Sequence, residues 1–70
     1  MDVLVFKTDI ITPSARPLVA QQLRQLRGIS TWSIDFEDRD KVLRIEASEV
    51  PPQHVVKAMN DVGFRCEELL

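Results

Sequence analysis

Seventy residues confine the chain to one domain, residues 1–70, with a small core, because a chain this short buries only about 60% of its unfolded surface. Its 44% hydrophobic and 29% charged residues suit a globular domain, and a net charge of −2 argues against nucleic acid, whose phosphates need a basic surface. The single cysteine excludes an internal disulfide and any metal site built on a cysteine pair, so a reducing compartment is the simplest setting.

The opening "MDVLVFKTDI" lacks a basic segment and carries Lys7 and Asp9 directly after a short apolar run. It predicts neither a signal peptide nor a membrane span, and a cytoplasmic location is the expectation. Residues 2–8 are apolar on both parities, the pattern of a central strand. From Ser14 to Arg27, Ala15, Val19, Leu23 and Leu26 recur at helical spacing. Pro17 belongs to the first turn of that helix, which makes Ser14 the expected N-cap, and Gly28 is the expected left-handed stop.

Trp32, Ile34 and Phe36 then alternate with Ser33, Asp35 and Glu37, predicting a strand with one wet face. The turn "DRDK" returns the chain into "VLRIEA", where Leu43 and Ile45 face the core, and the two strands form a hairpin. Pro51 or Pro52 opens a second helix whose Val55, Ala58, Met59 and Val62 share a face, and Gly63 ends it. The closing "FRCEEL" is a fourth strand with Phe64 and Cys66 on one side. The order βαββαβ, with right-handed crossovers burying both helices on one sheet face, predicts a ferredoxin-like α+β sandwich. The expected core comprises Leu23, Leu26, Trp32, Ile34, Phe36, Leu43, Ile45, Met59 and Phe64.

The stretch "LRQLRGISTWSIDFEDRDKVLRIEA", followed by "VVKAMNDVGFRCEEL", resembles the heavy-metal-associated domains of copper chaperones and metal-transporting ATPases. In that family the first helix ends in Leu-x-Gly-Val or Ile and the second in Ala-x-x-x-x-Gly-Tyr or Phe. The resemblance covers essentially the whole chain and implies the same ferredoxin-like fold. It also implies a Met-x-Cys-x-x-Cys motif in the first loop, where two thiolates clasp monovalent copper or zinc. Counted back from Gly28, those three positions fall on Ile10, Thr12 and Ala15, and no Cys, His or Met occurs between Asp2 and His54. No metal and no other cofactor is therefore expected.

Other clusters offer little chemistry. Cys66 has core parity and reads as a buried structural thiol, since a reactive one needs a cationic, partly exposed setting. His54 reads as a solvated residue in a first helical turn, and Met59 as core. Ser14 and Ser48 lack an elbow motif and no carboxylate pair is sheltered, so no enzyme is expected. The acidic turn Glu37–Asp40 lacks the frame of a calcium loop. The strands carry no paired exposed aromatics of an RNA-binding sheet.

Two features suit a protein partner or a homodimer. Between Ile10 and Ile34 the only charges are Arg16, Arg24 and Arg27, a local positive group on an acidic chain. Val3, Val5 and Val42 lie on the open sheet face and are expected to form an aliphatic patch. Two readings follow. In one, the domain has a degenerate metal site and works as a non-catalytic interaction or regulatory module; in the other, it traffics copper or zinc through an atypical site at Cys66. The missing ligands favour the first.

Overall fold

Two periodicities in the sequence become two layers in the structure. The computed structural model describes residues 1–69. In chain order they form β1 (Asp2–Thr8), a 3-10 turn (Pro13–Ala15), α1 (Arg16–Arg24), β2 (Ile29–Asp35), β3 (Val42–Ala47), α2 (Pro52–Asn60) and β4 (Cys66–Glu68). The strands make one antiparallel sheet in the order β2-β3-β1-β4, the ferredoxin-like topology predicted from the element order.

Register fixes which side chains meet. Phe6 pairs with Leu43, and Leu43 pairs with Ile34, so three buried residues form one row beneath the helices. Val19 and Leu23 of α1 and Val55, Ala58 and Met59 of α2 close the core over that row. Each fully buried aliphatic side chain contributes about 1.5–3 kcal/mol, so a handful of such residues dominates so small a domain. Gln22 adds a polar tie between the helices, its Nε2 donating to the Ala58 carbonyl at 2.9 Å.

Several local expectations need correction. The N-cap of α1 is Ala15, not Ser14, because the 3-10 turn capped by Thr12 occupies the preceding residues. The helix ends at Arg24, before Arg27, and Gly28 does not cap it. Gly28 has φ +98°, and a Cβ there would strike the Ser48 carbonyl. The Ser48 N–H donates to the Gly28 carbonyl at 2.8 Å, so this glycine serves the close approach of two segments. Gly63 does end α2: the Phe64 N–H donates to the Met59 carbonyl and the Gly63 N–H to the Asn60 carbonyl, both at 3.0 Å, a Schellman closure.

The core differs from expectation at its rim. Leu23, Ile34, Leu43, Ile45 and Met59 are buried, whereas Leu26, Trp32, Phe36 and Phe64 are half-buried and pack against it. Phe6, Ile10, Val19, Ala47, Val50 and Val55 supply the remaining large or strand-borne core contacts. The fourth strand begins at Cys66, two residues later than "FRCEEL" suggested.

Candidate functional site

The connection from β1 to α1 sits at the end of the sheet where Thr8 pairs with Cys66. Thr8 organises it. Its N–H donates to the Asp40 carbonyl at 3.0 Å and its hydroxyl to the Lys41 carbonyl at 2.6 Å, while the same oxygen accepts from the Ile10 N–H at 3.2 Å. Asp9 accepts from the Arg65 N–H at 2.7 Å. The loop is thus fastened to the β2–β3 turn on one side and to the start of β4 on the other.

Ile10, Thr12 and Ala15 take places that have nothing to do with metal ligation. Ile10 is wholly buried in the core, Thr12 shares a 2.8 Å hydrogen bond with the Ser14 hydroxyl, and Ala15 packs half-buried against the core. A methyl, a neutral hydroxyl and a branched alkane carry neither the charge nor the polarizability that soft cations select. The donor set does not fit copper or zinc.

Cys66 is nearby but unsuited to replace that set. It is half-buried, not fully buried as its parity suggested. Burial pushes its thiol up from an ordinary 9.0 to about 12, which disfavours the thiolate that soft-metal ligation needs. Lys7, Asp9, Arg65 and Glu67 border the same open groove, two cations against two carboxylates. His54 is exposed in the first turn of α2, and the rest of that helix, residues 55–60, separates it in sequence from Cys66. Among the described residues no three of His, Cys, Asp and Glu converge on one point.

The acidic turn is absorbed by its own backbone. Asp35 Oδ1 accepts from the N–H groups of Glu37 and Asp38 at 3.0 and 3.3 Å, and Asp38 Oδ1 accepts from that of Asp40 at 2.8 Å. These side chains set the turn by mimicking its main chain.

The arginines are placed differently. Arg24 lines a groove between α1 and β2 together with Ala20, Leu23, Leu26, Ile29 and Trp32, and Arg16 lies 5.5 Å from the Trp32 ring centroid. Arg27 follows in the turn leading to β2. The ion pairs among the described residues are Lys7–Asp40, Arg44–Glu46 and Lys57–Asp61, so these three arginines have no acidic partner there. The structure sets Trp32, expected in the core, beside Arg16 and Arg24. The signal was parity, which names a strand face and says nothing of a sheet edge.

On the open face, Val3 lies opposite Glu46 and Val5 opposite Arg44, while Val42 lies opposite Asp35. The valines are therefore interleaved with charge and do not form the continuous aliphatic patch expected for them. Val3 is exposed, and Val5 and Val42 are half-buried.

No protein-family model and no curated protein sequence matches the chain. Solved structures do. The N-terminal domain of PacS from Synechocystis superposes with a TM-score of 0.80 at 11% identity over 100% of both chains. The yeast copper transporter domain Ccc2a, solved in apo and Cu(I)-loaded states, gives a TM-score of 0.81 at 20% identity over 97% of this chain and 94% of that one. Oxidized MerP from Ralstonia metallidurans gives 0.78 at 19% identity over 99% and 97%. The chain has the heavy-metal-associated domain fold. At these identities the likeness speaks for the fold alone, the four-stranded ferredoxin-like sandwich with two helices. Within it, Ile10, Thr12 and Ala15 occupy the loop between the first strand and first helix. No helix among the described residues is long and apolar enough to cross a membrane.

Proposed function

We propose that residues 1–70 form a single heavy-metal-associated-like domain with a degenerate metal site, acting as a non-catalytic protein-interaction or regulatory module in the cytoplasm. One observation carries this reading: the three loop positions that the family resemblance marks for soft-metal ligands are a core isoleucine, a hydroxyl bonded to its neighbour and an alanine. Arg16, Arg24 and Arg27 are the partner-facing cations, with Val3, Val5 and Val42 as a secondary surface. An acid–base or nucleophilic role draws no support from any convergent set of side chains. Metal trafficking through Cys66 draws less support, because Cys66 is the single thiol of the chain and no group of three His, Cys, Asp or Glu residues converges among the described residues.

Competition against a strong Cu(I) chelator under reducing conditions tests the reading. The chain should leave the copper with the chelator. Tight binding of one metal per chain that persists in Cys66→Ser would overturn the degenerate site, and loss of that binding in Cys66→Ser would establish the Cys66 alternative. The converse variant, Thr12→Cys with Ala15→Cys, should gain copper binding without a change of fold, because it returns two thiolates to the loop.

A further inference from the structure

The strand β2 closes one side of the sheet, and its outer backbone groups have no hydrogen-bonded strand neighbour among the described residues. Natural proteins guard such an edge with lysine, proline or an inward charge, since unpaired N–H and C=O groups are a template for another strand. From Ile29 to Ile34 this edge carries no charge and no proline. Its one irregularity, a bulge between Ile29 and Thr31, is confined to the beginning of the strand. Beside the edge runs the groove under α1, with Ala20, Leu26 and the half-buried Trp32 offering apolar surface.

Charge is sorted along this strand. Arg24 and Arg27 stand at its start, while the turn at its end carries four carboxylates, those of Asp35, Glu37, Asp38 and Asp40, against the two cations Arg39 and Lys41, and so is net acidic. Neither arginine is in an ion pair among the described residues, and Asp35 and Asp38 accept only main-chain N–H groups from their own turn. An extended acidic ligand would answer the basic end and be repelled by the acidic one. A second copy of β2 running in the opposite direction answers both, because a two-fold axis lays the acidic end of each copy on the basic end of the other.

We propose that the chain forms a two-fold symmetric dimer in which β2 pairs antiparallel with β2 of a second copy, giving a continuous sheet with four strands from each. This rests on reading the chain as an interaction module and names its partner as itself. Trp32 is the anchor at the centre of the interface, covered by the second copy, and the terminal charges set the direction of pairing.

The test is sedimentation velocity over a concentration series from low micromolar to millimolar, with emission recorded in parallel. The chain has one tryptophan and no tyrosine, so its fluorescence reports Trp32 alone. A monomer–dimer equilibrium should appear, with Trp32 emission moving to the blue as dimer accumulates and with dissociation promoted by high salt. Arg24→Glu with Arg27→Glu should abolish the dimer while far-UV circular dichroism stays unchanged, and Val5→Asp on the sheet face should leave it intact.

Three outcomes would overturn the proposal. One is a dimer dissolved by Val5→Asp and untouched by the arginine reversal, which moves the contact to the open sheet face. Another is a monomer at every concentration that binds polyglutamate, which assigns the edge to an acidic partner. The third is a monomer that binds neither itself nor polyglutamate. All three leave the degenerate metal site standing, since that reading fails only on the copper competition.

Discussion

The loop after β1 and the edge formed by α1 and β2 are a few residues apart in sequence and opposite in how they use their polar groups. At the loop, Thr8 serves three backbone partners, Asp9 holds the Arg65 N–H, and Ile10 is sunk in the core. At the edge, among the described residues, Arg16 meets the Trp32 ring without an acidic partner, Arg24 and Arg27 have no acidic partner either, and the outer backbone of β2 has no strand neighbour. In the heavy-metal-associated fold the loop is where the family resemblance expects ligation, yet here its groups are consumed within the chain. The proposed binding surface lies instead where charges and backbone groups are unanswered among the described residues, because a group already satisfied internally gains little from a partner.

The comparison breaks most sharply at Ile10. If that position were a vestige of a ligand motif, truncating it would cost little; as a core residue with no exposed surface, Ile10→Ala should destabilise the domain by about 2–5 kcal/mol, read from urea unfolding followed by circular dichroism. A loss below about 1 kcal/mol would return the loop to the surface. Thr8→Val tests the loop's hydrogen bonding at nearly constant volume. It strands the buried Ile10 N–H and the Lys41 carbonyl, for an expected cost of about 1–3 kcal/mol in the same assay. Unchanged stability would mean that water takes over both groups.

The smallest effect belongs to the edge. Arg24→Ala with Arg27→Ala should alter monomer stability by no more than about 0.5 kcal/mol for each site, since both residues are exposed and have no ion pair among the described residues. A thermal unfolding series at low protein concentration reads the monomer without contribution from association. A large loss there would show that these arginines are structural, and the contrast with the loop would disappear.

Much of this architecture is written in local patterns. The alternation of Trp32, Ile34 and Phe36 against that of Leu43 and Ile45 specified the hairpin, and the apolar face from Val55 to Met59 specified α2 with its stop at Gly63. Prolines misled at finer scale. Pro17 placed the helix start correctly to within a turn, but the 3-10 turn at Pro13–Ala15 displaced Ser14 from the cap. Gly28 was read as a helix stop from its place in sequence, whereas the approach of Ser48, twenty residues later, is what requires a glycine. The loop's lack of thiolates was plain from residue identity. That Ile10 is core was not, since a loop residue has no periodicity to declare its environment.

Residue types and their spacing determined the element order, the inward face of each strand and helix, and the absence of soft-metal ligands from the first loop, because propensity, amphipathic period and ligand chemistry are properties of short segments. Tertiary structure alone decided that Trp32 is half-covered beside Arg16 and Arg24, that Ile10 is sunk in the core, and that Val3 and Val5 face Glu46 and Arg44. Strand order and register arise from pairings between residues far apart in the chain, and the environment of each side chain follows from those pairings.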